Sequence, residues 1–153
     1  MSNSNPRPSA LRFPVRRLLL SVVPALVLVL TACSTIAPYD QAAYEHATSS
    51  KAEALLLMDR ATTSYSQNTD KIDAVILDLN KAYEYDKGRV RNQFTVKLWT
   101  ELLSPDNLFG AFIHQWKSKG QLHPGYIEVK KKDVEDAFDQ IIQLEQGKQK
   151  NGI

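Results

Sequence analysis

The metal-ligating and acid–base groups most telling in this 153-residue chain are three histidines, 17 carboxylates and one thiol, Cys33. The histidines are His46, His114 and His123, and none has a second ligand three or four residues on, where one helical turn would bring it close. The H-E-x-x-H metal pattern is missing, as are G-x-S-x-G, a phosphate-cradling glycine loop and G-x-G-x-x-G. His123-Pro124-Gly125 has turn composition, and His114, between Phe112/Ile113 and Trp116, reads as a helix-surface or boundary residue. Neighbouring carboxylates such as Glu135-Asp136 face different ways on a helix, so they do not form an acid–base pair. The expectation is a protein without catalytic residues, cofactor or metal.

Cys33 has a more specific setting. Four arginines (Arg7, Arg12, Arg16, Arg17) precede an apolar run from Leu18 to Leu30, broken only by Ser21 and Pro24. Small residues then lead to the cysteine, and this order marks a secretory signal. Thirteen helical residues span about 20 Å, short of the roughly 30 Å hydrocarbon core, and Pro24 would kink a permanent span. Leu30-Thr31-Ala32-Cys33 resembles the lipobox of bacterial lipoprotein precursors. That resemblance implies cleavage before Cys33, an S-diacylglycerol on its thiol and an N-palmitoyl group on its new amine. It also implies export by the general secretory route and an anchor in the membrane of the cell envelope. An aspartate after the cysteine commonly retains such proteins at the inner membrane. Ser34 stands there instead, which implies an outer-membrane protein facing the periplasm in a cell with two membranes.

Removal of the first 32 residues leaves 121, a usual length for one domain with one core. Four of the 19 Lys and Arg go with the signal and none of the 17 acidic residues does, so the formal charge falls from +2 to −2. That balance argues against a nucleic-acid partner. Lipidation consumes the only thiol, which leaves no disulfide and makes packing the source of stability. The one basic run, Lys130-Lys131-Lys132, reads as the solvated opening of a helix.

The pattern after the signal is helical throughout. Residues 33–39, rich in small and polar types with Pro38, form a tether, residues 40–147 the domain and residues 148–153 a tail. Tyr44, Lys51, Met58 and Tyr65, with alanines between, mark an amphipathic helix over 40–66 in which Lys51 is the odd residue. Thr69 or Asp70 caps a second helix reaching Asp86, with Ile72, Val75/Ile76, Leu79 and Ala82/Tyr83 inward and Gly88 as a left-handed stop. A third covers 92–103 through Val96, Trp99 and Leu102/Leu103. Ser104-Pro105-Asp106 has the composition of a new start, and the fourth runs through Phe109, Phe112/Ile113 and Trp116 to Lys119-Gly120. The last spans 126–146, burying Ile127, Val134, Ala137/Phe138, Ile141 and Leu144, with Gly147 as its stop. No stretch alternates with period two. The fold class is all-α, a compact bundle of four to five helices.

Two patches stand out. Tyr83, Tyr85, Lys87, Arg89 and Arg91 combine aromatics and charge at a helix-to-helix turn and form a candidate contact surface, with a capped turn as the plainer alternative. Trp99 and Trp116 share stripes with apolar neighbours and read as core. The functional expectation is a membrane-anchored envelope lipoprotein with a structural or protein-interaction role and an envelope protein as partner. The alternative is a small-ligand binder or unrecognised enzyme with a pocket near Trp99 and Trp116.

Overall fold

The computed structural model describes residues 36–150. The signal segment, Cys33, Ser34 and the end of the tail lie outside the described residues. The described chain is all-α, as its periodicity predicts, with helices α1 (Gln41–Asp59), α2 (Thr69–Gly88), α3 (Gln93–Leu103), α4 (Leu108–Lys119) and α5 (Pro124–Lys150). Two 3-10 turns, Arg60–Thr62 and Tyr65–Gln67, join α1 to α2.

The longest helix, α5, is the spine: α1, α3 and α4 all pack on it, while α2 packs on α1 and α3. The α1 face turned inward is built from Ala43, Ala47, Ser50 and Ala54 before it broadens to Leu57 and Met58. Small side chains allow close approach of neighbouring helices. Both tryptophans are fully buried, with Met58, Ile72, Leu79, Phe109, Phe112 and Phe138 around them. Trp99 meets Phe138 edge to face at 5.8 Å, and Trp116 meets Tyr65 likewise at 5.6 Å. Lys51, the odd residue of the α1 stripe, bridges α1 to α5 through Asp139 (2.7 Å) and Glu135 (3.2 Å).

Five boundaries differ from those the sequence predicts, one of them the start of α5, which takes in Pro124 and Gly125 of the expected turn and begins two residues before Tyr126. The α1 helix ends at Asp59 rather than at residue 66, because three tertiary bonds claim the backbone beyond it. Ala61 carbonyl accepts from Leu122, Thr63 carbonyl from Trp116 Nε1, and Tyr65 amide donates to Gly120 carbonyl. Ser104 closes α3 and the fourth helix starts only at Leu108, since Ser104 carbonyl receives the Asn107 amide in a turn. Gly88 is the last residue of α2, and the left-handed residue of that turn is Arg91 (φ 61). Gly147 does not stop α5, which continues to Lys150 because Lys148 is anchored by bonds to α3 and to Glu145. Gly120, by contrast, is the left-handed stop expected of it (φ 78).

Candidate functional site

The α5 helix is apolar on its inner face through Ile127, Val134, Phe138 and Ile141, yet the same face continues into Glu145 and Lys148. The steps of three, four and seven residues carry both charges onto the core stripe. On α2 the series Ile72, Leu79, Asp86 does the same at intervals of seven. Asp86, Asn92, Thr95, Glu145 and Lys148 are all buried, at 2–5% exposure. Charges so deep need partners, because an unpaired one is strongly unfavourable in a low-dielectric interior.

The partners converge from four segments. Arg89, just after α2, lays its guanidinium across Glu145, Nη1 to Oε2 and Nη2 to Oε1, both at 3.0 Å. This fork is the geometry that suits a carboxylate best. Arg89 Nη1 also reaches Asp86 Oδ1 at 3.0 Å, and Nη2 reaches Pro38 carbonyl at 2.6 Å. Asp86 Oδ1 takes a second bond from Asn92 Nδ2 (2.8 Å), and Oδ2 takes Trp99 Nε1 (2.7 Å). Lys148 Nζ donates to Glu145 Oε2 (2.5 Å), Asn92 Oδ1 (2.8 Å) and Thr95 Oγ1 (3.4 Å). Asp40 amide completes Glu145 at Oε1 (2.7 Å). Two acids and two bases balance, and among the described residues no buried side-chain polar atom is left without a partner.

The network fixes protonation. Burial alone would push the Glu145 carboxyl up, but the bonds from Arg89, Lys148 and the Asp40 amide outweigh it and hold it below its ordinary 4.5. Burial likewise disfavours the charged Arg89, and its bonds to Glu145 and Asp86 raise it above its ordinary value. Asp40 is held low chiefly by the Ala43 amide, which it caps at 3.0 Å, with burial opposing and Tyr85 and Arg89 assisting. Each of these three shifts favours the charged form of Glu145, Arg89 and Asp40.

What this arrangement does is seat the incoming chain. Ala37 is buried and its amide donates to Arg91 carbonyl at 3.0 Å. Pro38 is held by Arg89 and Asp40 by Glu145, and Asp40 then caps α1. Of the residues read from sequence as tether, 37–39 thus lie against the bundle.

The predicted contact residues divide. Arg89 is interior, with 12% of its side chain exposed. Tyr85 is at the surface, its hydroxyl 3.1 Å from both Asp40 carboxylate oxygens and its ring 5.1 Å from His46. Lys87 pairs with Glu84 (2.8 Å) and lies 5.3 Å over the Tyr83 ring, while Arg91 is exposed. Sequence reasoning missed Glu145, Lys148 and Asp86, whose signal was their position on otherwise apolar heptad steps. The Lys130–Lys132 run spends its charge on Asp133 (2.8 Å), on Asp59 (2.5 Å) and on Asp136.

A cleft of about 300 Å³ lies between α2 and α4, lined by Tyr65, Ile76, Asn80, Phe109, His114 and Lys117. Neither tryptophan and no carboxylate lines it. Among the described residues no three His, Cys, Asp or Glu are grouped to hold a metal, and no helix is long and apolar enough to cross a membrane. Comparison with family models, with curated proteins and with solved structures finds no match to this chain.

Proposed function

We propose that this protein is a cell-envelope lipoprotein, anchored by acyl groups on Cys33, whose helical domain serves a structural or protein-binding role rather than a catalytic one. The observation that carries the reading is the signal segment ending in Leu30-Thr31-Ala32-Cys33. The chain is seated on a buried ion network only a few residues later, which suits a domain held at its N-terminal end. The donors and acceptors of that network are spent on one another, which suits a role in holding the domain together. Ser34 favours the outer membrane, periplasmic face, where the cell has two membranes. One acyl chain binds a membrane only marginally, whereas the three implied here hold the protein there permanently.

The test is Cys33→Ser in the full chain, with radiolabelled palmitate and a mass spectrum of the N-terminal peptide. Wild type takes up label and begins at an acylated Cys33. The variant takes up none and accumulates as the unprocessed precursor, because a hydroxyl cannot form the thioether. A wild-type chain that is unlabelled, or that starts elsewhere, overturns the reading. Crosslinking in intact envelopes then identifies the protein partner.

A further inference from the structure

The corner between α2 and α3 carries exposed apolar side chains. Val90 is 76% exposed, Phe94 62% and Ile36 46%. The Ala37–Arg91 backbone bond lays the incoming chain beside Val90 and Arg91. Ile36, Phe94 and Leu98 line one open apolar groove of about 350 Å³ with Leu144 and Gly147. Large apolar side chains grouped in this way mark a surface that meets something apolar. Exposed Arg91 and Lys97 are close to them in sequence, and Gln140, Gln143 and Lys148 also line the groove.

The position of Cys33 selects the occupant. Three peptide steps separate it from Ile36, a reach of about 11 Å at full extension. Ala37 is fixed to the bundle, so the slack available to an acylated Cys33 is confined to those steps. A domain anchored so tightly has this corner within reach of the bilayer at all times. Apolar side chains settle at headgroup level in such a place, and flanking Lys and Arg favour anionic lipid.

We propose that Ile36, Val90 and Phe94, together with Arg91 and Lys97, rest in the headgroup region of the bilayer that holds the Cys33 acyl groups. The domain is then held against the membrane in one orientation, with the α2–α3 corner down and the C-terminal end of α1 away from it. This rests on the lipid-anchor reading above.

The experiment places a reporter on the corner of the full, processed protein. Acylation consumes Cys33, so Phe94→Cys presents the single free thiol, at a site exposed enough to tolerate the change. It is labelled with bimane and reconstituted into phosphatidylethanolamine/phosphatidylglycerol vesicles containing nitroxide lipids. Leu56→Cys, 66% exposed and about 22 Å along α1 from its first turn, is the comparison site. Val90→Cys repeats the corner measurement independently. Quenching at positions 94 and 90 is expected to be at least threefold that at position 56. Equal quenching at all three with Cys33 acylated overturns the apposition and leaves the anchor standing. A mass spectrum showing unacylated Cys33 overturns the anchor and the apposition with it. Lack of quenching at the corner in vesicles, with crosslinking of position 94 to another protein in intact envelopes, overturns the membrane assignment in favour of a protein partner.

Discussion

Glu145 receives four hydrogen bonds, from both arms of Arg89, from Lys148 and from the Asp40 amide. Glu145→Gln removes the charge that two buried cations need, and breaking such a pair from one side costs about 3–5 kcal/mol. The pH dependence follows from the same contacts. A carboxyl held below 4.5 when folded contributes stability that is complete above its unfolded value and is lost as pH falls through the lower folded one. Asp40, held below 3.8, acts in the same direction. Thermal melts should therefore be level from about pH 5 to 7 and fall progressively below about pH 4.5. In Glu145→Gln the plateau is lower and the acid limb shallower. An unchanged acid limb in the variant would remove Glu145 from the account.

The helices make their own demands, and two glycines separate them. At Gly110 an added Cβ would lie 2.1 Å from Ser104 carbonyl oxygen and 2.6 Å from that of Leu103, so α4 would have to leave the end of α3. Gly110→Ala should cost about 1–3 kcal/mol, the range of overpacking in a close contact. At Gly147 nothing lies within 4 Å, and the residue is inside α5. Gly147→Ala should stabilise by about 0.5–1 kcal/mol, because alanine loses less backbone entropy in a helix than glycine. Urea midpoints of the two variants moving in opposite directions would bear this out. A destabilised Gly147→Ala would show that α5 ends where its glycine suggested.

On the scale of the molecule, the segment before α1 is part of the fold. Ala37–Asp40 contributes a buried alanine, the Pro38 carbonyl, the Asp40 amide and the α1 cap. A chain beginning at Gln41 loses the cap, worth about 1 kcal/mol, and two hydrogen bonds to charged groups, each about 1.5–3 kcal/mol before relaxation. It should melt roughly 10 °C or more below a chain beginning at Ser34, since about 1 kcal/mol moves Tm by several degrees at this size. Equal melting temperatures would make the segment a passive tether after all.

The sequence by itself determined the export and lipidation signal as an expectation, the helical class and the inward faces of α2 and α4. These are legible because they rest on local order: a lipobox is four adjacent residues, and an apolar stripe repeats within one turn. Tertiary structure decided what depends on residues far apart. Lys51 became a bridge only because α5 brings Asp139 and Glu135 to it. The last turn of α1 gave way because Trp116, Gly120 and Leu122 claim its backbone groups. Glu145 and Lys148 look like solvent residues at a helix end until Arg89, Asn92 and the Asp40 amide, 56, 53 and 105 positions from Glu145, close over them. A charge can be buried only where its partners meet, and that meeting is a property of the packed bundle, not of any one helix.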